Sequence, residues 1–294
     1  MKITQPVLLQ SFKDEFDLPT KSYDTPAEPR QILDPADASD ILGTQEQEKY
    51  RSGVGKLLHL MRWSRPEIWN AVRELSKHNG KCNEQHMKAM KRVMKYAVDT
   101  PNRGWRISPE RRWRTGDNIK FKIRGCPDAS YAPCRVTRKS VTGYAVFLEG
   151  VVVAVKSGMQ RIVALSSAEA EVIAVIQCVQ EMLYIKKVIE SMKLTVDLPM
   201  LIECDNKGAV DLVNGWAVGG NSKHIDVRLN FLRELKESGV IRISWVATGE
   251  QVGDLHTKNL ERKSFERHAK VHVGVDEYWC QNNQQEIVSE RESG

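Results

Sequence analysis

The sequence predicts an α/β protein: a mixed five-stranded sheet with flanking helices, preceded by a smaller and mostly helical module. Three observations carry that expectation. In the first third, apolar residues recur at helical spacing. From Ile119 onward strand periodicity appears, as in "NIKFKIRG", where Ile119, Phe121 and Ile123 alternate with Lys120, Lys122 and Arg124. The later strands are joined through helical segments, as a mixed sheet with helices packed on it requires. Between the two styles, "TPNRGWRISPERRWRTGDN" is rich in Pro, Gly and Arg and lacks periodicity, which marks a module boundary. The expected organisation is therefore a helical module over 1–106, a linker over 107–117, the sheet domain over 118–274 and a polar, disordered tail over 275–294.

Taken in order, "YRSGVGKLLHLMRW" and "PEIWNAVRELSKHN" read as helices, with Pro66 placed to open the second. In "NEQHMKAMKRVMKYAVDT", Met87, Met90, Met94 and Ala97 form one stripe, and Lys88, Lys91, Arg92 and Lys95 another. Such a basic stripe suits a phosphate backbone, and it is equally the pattern of a plain solvated face. After "NIKFKIRG", "TGYAVFLEG" and "VVVAVKS" read as two further strands joined by a tight turn at Glu149-Gly150. A long helix begins near Ser166. "MLIECD" is then a strand, "NKGAVDLVNG" a short helix, "IDVRLNFLRELKESG" another helix and "VIRISWV" the last strand, before a final helix opening around Asp254.

The bulk composition excludes several classes. Of 294 residues, 41% are hydrophobic and 28% charged, the mix of a folded soluble protein. No apolar run approaches the roughly 20 residues that cross a bilayer. The opening "MKITQPVLLQSFKDEF" puts charges where a signal peptide is apolar, so the expected place of action is intracellular, cytoplasm or nucleus, with no membrane partner and no secretion. A net charge of +6 favours an anionic partner only weakly. Six scattered cysteines without a CxxC pair indicate neither a zinc module nor a disulfide framework.

"LSSAEAEVIAV" places two glutamates at the head of an apolar helix. At about 100° per residue, Glu171 lines up with Val175, Cys178, Met182, Ile185 and Ile189 and points toward the sheet, while Glu169 lies on the other side. Ser166 and Glu169 form a capping-box pattern, which explains Glu169 and leaves Glu171 without a structural role. An inward carboxylate needs a cation beside it: an Arg or Lys in an ordinary buried ion pair, or a metal. Asp205 ends the strand "MLIECD", Asp128 ends the first strand run and Asp254 begins the final helix; ligand groups of open α/β sheets collect at such places. Asp254 is also a natural helix cap and Asp128 a natural turn residue. Four acids brought together would repel unless divalent cations held them, and hard oxygen donors suit Mg²⁺ or Mn²⁺.

In "PDASYAPCRVTRKSVTGYAVFLEG", "VALSSAEAEVIAV", "IECDNKGAVDLV", "KHIDVRLNFLRE" and "GDLHTKNL", taken in that order, the chain resembles the ribonuclease H domain of copia-class LTR retrotransposon polyproteins, over roughly Ile119 to Val273. The preceding segment resembles the end of reverse transcriptase and the connection to ribonuclease H. The resemblance implies a ribonuclease H-like sheet and a catalytic, metal-binding quartet at Asp128, Glu171, Asp205 and Asp254. It further implies two Mg²⁺ ions, replaceable by Mn²⁺, flanking the scissile phosphate of the RNA strand in an RNA/DNA hybrid. Arg135, Arg138, Lys139 and Lys156 become candidates for holding the hybrid's phosphates, and the stripe of Lys88, Lys91, Arg92 and Lys95 gains that reading too, although plain surface charge describes each singly.

The chain departs from the family in lacking a histidine in the loop before the last aspartate, "VATGEQVGD"; Glu250 or His256 are the nearest substitutes. Ser130 stands where the family often has a second acid, and His224 is expected to position its helix. No Y-x-D-D polymerase motif is present, so the remainder of a reverse transcriptase is an expected partner, and the chain reads as a piece of an element or a domesticated remnant. The competing expectation is a non-catalytic nucleic-acid-binding module. Nothing in the sequence sets the oligomeric state.

Overall fold

The computed structural model describes residues 1–111, 113–114, 116–215 and 223–273. The expected tail over 275–294 and the side chain of His224 lie outside the described residues. The chain divides into two compact units: 1–28, 35–106 and 261 onward form the first, and 29–34 with 107–260 the second.

The first unit contains α1 (Pro6–Glu15), α2 (Thr44–Trp63), α3 (Trp69–Ser76) and α4 (Glu84–Asp99), and the two-residue strands β1 (Lys2–Ile3) and β2 (Trp105–Arg106) pair antiparallel. Pro66 opens a short 3₁₀ turn that leads into α3. On α4 the stripe Met87, Met90, Met94 and Ala97 is buried. The Asn83 side chain caps that helix by accepting from the His86 N–H at 3.1 Å. Arg65 is buried and donates to Glu67, to the carbonyls of Ala97 and Thr100 and to Thr100 Oγ1, so its charge has a full set of partners.

The second unit holds the sheet. After β3 (Lys120–Phe121) come β4 (Ile123–Ser130), β5 (Val141–Leu148) and β6 (Val151–Met159), then α5 (Ser167–Ser191), β7 (Thr195–Val196), β8 (Met200–Cys204), α6 (Lys207–Asn214), α7 (Lys223–Glu237) and β9 (Ile241–Trp245). The order is β6-β5-β4-β8-β9, an antiparallel meander followed by parallel β4, β8 and β9. Glu149 and Gly150 both take positive φ, 51° and 77°, the geometry of the tight hairpin turn the sequence predicts.

Helix α5 lies on β4 and β5 and buries Val175, Cys178, Met182 and Ile189. Close approach depends on Gly125: a Cβ there would stand 2.6 Å from both Cys178 Sγ and the Met182 sulfur. Two local expectations change. β4 runs two residues beyond Asp128, so that acid sits within a strand and not at its end. Asp254 lies in a 3₁₀ segment, Val252–His256, and the last described helix, α8 (Arg262–Val273), starts eight residues later. The sheet domain was expected to run to 274, whereas α8 groups with the first unit, where Arg103 pairs with Glu266 and Phe265 meets Tyr96 edge to face.

Candidate metal centre

Four elements of the second unit deliver one acid each. Asp128 comes from β4, Glu171 from the first turns of α5, Asp205 from the residue after β8 and Asp254 from the 3₁₀ segment. Carboxylate oxygens of Asp128, Asp205 and Asp254 all lie within 4.8 Å of one another, and those of Glu171 and Asp205 do so with the Cys204 thiol.

Local folding explains each placement. Ser166 caps α5 by accepting from the Glu169 N–H at 3.1 Å. Glu169 folds back to accept from the Leu165 N–H at 2.7 Å, one residue before the position the capping-box pattern predicts. Glu169 is thus buried with a partner, whereas Glu171 is buried with its Oε2 accepting no hydrogen bond. Asp205 is steadied through its backbone, whose carbonyl accepts from Trp245 Nε1 at 2.9 Å. The 3₁₀ segment seats against the sheet because Gly253 and Gly143 have no side chains. A Cβ on Gly253 would fall 2.8 Å from the Cys126 carbonyl oxygen, and one on Gly143 would fall 2.6 Å from Thr257.

Two side chains that the sequence reading missed complete the cluster. Thr257 Oγ1 donates to Asp128 Oδ2. Lys258 Nζ donates to Asp254 Oδ1 at 2.6 Å and stands 3.6 Å from Asp128 Oδ2. The signal for Lys258 is its position four residues after Asp254, the spacing of a helical ion pair.

The electrostatics follow from crowding. Burial pushes Asp128 up to about 6, with Lys258 opposing and Asp254 adding to the rise. Glu171 is pushed up to about 9, first by burial and then by the charges of Asp128 and Asp205. Asp205 is raised by burial and by Asp128, against the pull of Thr248 and Lys258. Burial works against the Lys258 charge, but Asp128 and Asp254 outweigh it and hold that ammonium protonated. Burial and neighbouring Glu171 raise the Cys204 thiol, and a soft sulfur is a poor donor for a hard cation. What remains is a set of four carboxylates, one with a bare buried oxygen, and this donor set fits a hard divalent cation.

The candidate phosphate contacts are dispersed. Arg135 is exposed and pairs with Asp34 at 3.0 Å. Arg138 lies on the same β4–β5 loop with a φ of 54°, Lys139 follows it, and Lys156 on β6 stands over the Tyr144 ring. On α4, Lys91, Arg92 and Lys95 face Asp17, Glu28 and Asp99, while Lys88 is exposed. His256, one of the two substitutes for the absent loop histidine, is fully buried, and Glu250 is exposed.

A mixed sheet of this order, with acids converging from its central strands and the first covering helix, defines a ribonuclease H-like protein. The chain belongs to the Pol polyproteins of copia-type transposons. It is 30% identical over 229 residues to the retrovirus-related Pol polyprotein from transposon TNT 1-94 of Nicotiana tabacum, covering 76% of this chain and 16% of that one. It is 32% identical over 227 residues to the Pol polyprotein from transposon RE1 of Arabidopsis thaliana, covering 77% and 15%. The chain therefore spans about a sixth of the length of these relatives. No protein-family model matches it. Among solved structures, LC11-RNase H1 in complex with RNA/DNA hybrid is 15% identical over 47% of this chain and 94% of that one, with a TM-score of 0.37, a likeness too slight to add to the strand order. Among the described residues no helix is long and apolar enough to cross a membrane.

Proposed function

We propose that the chain is a metal-dependent endoribonuclease that hydrolyses the RNA strand of RNA/DNA hybrids, acting with the rest of a retrotransposon reverse transcriptase inside the cell. The observation that carries this reading is the convergence of Asp128, Glu171, Asp205 and Asp254, with the Glu171 Oε2 buried and unpartnered. These four side chains would hold Mg²⁺, as two ions, or Mn²⁺ in its place. Bound there, the ions would supply an activated water and stabilise the departing 3′ oxygen.

The chain's own residues orient that centre. Thr257 holds the Asp128 carboxylate, and Lys258 neutralises Asp254 and Asp128 until a cation does so. Arg135, Arg138, Lys139 and Lys156 are proposed to hold phosphates without reading sequence. On α4, Lys88 is ready for such a contact, whereas Lys91, Arg92 and Lys95 would first have to leave their carboxylates. Residues 1–106 are proposed as the connection to reverse transcriptase.

The test is cleavage of an end-labelled RNA/DNA hybrid by the purified chain in Mg²⁺ or Mn²⁺, beside Asp128→Asn and against single-stranded RNA. Metal-dependent cutting of the hybrid alone, lost in Asp128→Asn, is the expected outcome. A folded chain that binds the hybrid in a salt-dependent manner and never cuts it would identify a non-catalytic binding module.

A further inference from the structure

The central strands separate where the acids stand. β4 and β8 are in ladder register only at Arg124 with Leu201 and Gly125 with Ile202. Beyond that point β4 continues beside β5 to Ser130, and β8 continues beside β9 to Cys204. Pro127 stands just past the break: it has no N–H to offer a ladder, and its carbonyl accepts from Gln251.

Gln251 fills the gap. Its side chain is fully buried, and its Nε2 donates to the Pro127 carbonyl at 2.9 Å and to the Glu203 carbonyl at 3.0 Å. Its Oε1 accepts from the Gly253 N–H at 3.1 Å. One amide thus ties three backbones. Pro127 is adjacent to Asp128, Gly253 is adjacent to Asp254, and Glu203 lies two residues before Asp205.

We propose that Gln251 is a positioning residue of the metal centre: its single amide sets the separation of Asp128, Asp205 and Asp254. The inference rests on the ribonuclease H reading of that centre. The chemistry is specific to an amide. Both N–H groups meet carbonyl oxygens, so a carboxylate of the same shape would set oxygen against oxygen, and an apolar side chain would leave both carbonyls bare. The segment that carries Gln251 also carries Asp254, so the same side chain that bridges the strands seats the last acid between them.

The experiment titrates Mn²⁺ into the wild-type chain and Gln251→Met by calorimetry, with thermal unfolding followed in parallel. The expected result is a cooperatively folded variant that binds Mn²⁺ about 10- to 100-fold more weakly, the usual effect of losing a group that orients metal ligands. A folded variant that binds as tightly as wild type overturns the role, even if its melting temperature falls, because a merely structural staple would alter stability alone. Should Gln251→Met lack a cooperative transition, Gln251→Asn is read in the same way; it keeps the amide on a stem one methylene shorter. A wild-type chain that takes up no Mn²⁺ refutes the proposed function and this role with it, whereas binding that is equal in all forms refutes the role alone.

Discussion

Glu171→Gln tests whether the inward glutamate is a burden that the cation relieves. Without metal, Glu171 keeps its proton up to about 9, while in the unfolded chain it loses it near the ordinary glutamate value of 4.5. Between those values the native state binds the extra proton, so stability falls as pH rises, by about 1.4 kcal/mol per pH unit. At pH 7.5, three units above the unfolded value, the cost reaches at most about 4 kcal/mol. Glutamine copies the protonated carboxyl without that cost. In urea unfolding with EDTA, Glu171→Gln is therefore expected to be more stable than wild type at pH 7.5, and the gap is expected to shrink by up to about 3 kcal/mol at pH 5.5. Excess Mn²⁺ should reverse the order, because the wild type, with all four carboxylates, gains more by binding it. A gap in EDTA that is absent, negative or independent of pH would refute the reasoning.

Three further outcomes are expected. Lys258→Met deprives the metal-free cluster of its cation, so its melting temperature should fall in EDTA and rise more than wild type's on adding Mn²⁺; a rise no larger than wild type's would show that the ammonium does not compete with the ion. Gly125→Ala puts a methyl against Cys178 and Met182, and urea unfolding should show a loss of about 1–3 kcal/mol. Arg65→Met strands the buried Glu67 carboxylate and two carbonyls, and the same measurement should show a loss of about 3–5 kcal/mol.

Features governed by local periodicity were legible before any coordinates. The 100° count that lines Glu171 up with Val175 and Cys178 needs only helix geometry, and so does the buried methionine stripe of α4. The hairpin at Glu149-Gly150 is equally local. Features set by contacts between distant segments were not legible. The α4 cation Arg92 reaches Glu28, 64 positions away, and Arg135 reaches Asp34 across 101, so neither basic candidate advertised its partner. Gln251 looked like an ordinary loop residue because its role depends on two strands parting, which no spacing along the chain encodes. Asp254 was read into a helix because a capping acid and a 3₁₀ acid look alike until the segment meets the sheet at Gly143 and Gly253.

That seating has a consequence for timing. Thr257 reaches Asp128 across 129 positions of chain, so the centre closes through contacts of high sequence separation, whose loop entropy delays their formation. The meander β4–β6, helix α5, and strand β8 with Asp205 after it all precede residues 251–258 in a growing polypeptide, and such an intermediate holds three acids without the fourth. On the proposed function, competence to bind a cation would therefore arrive in one late docking step, and a cation, once bound, would act as a latch on that step.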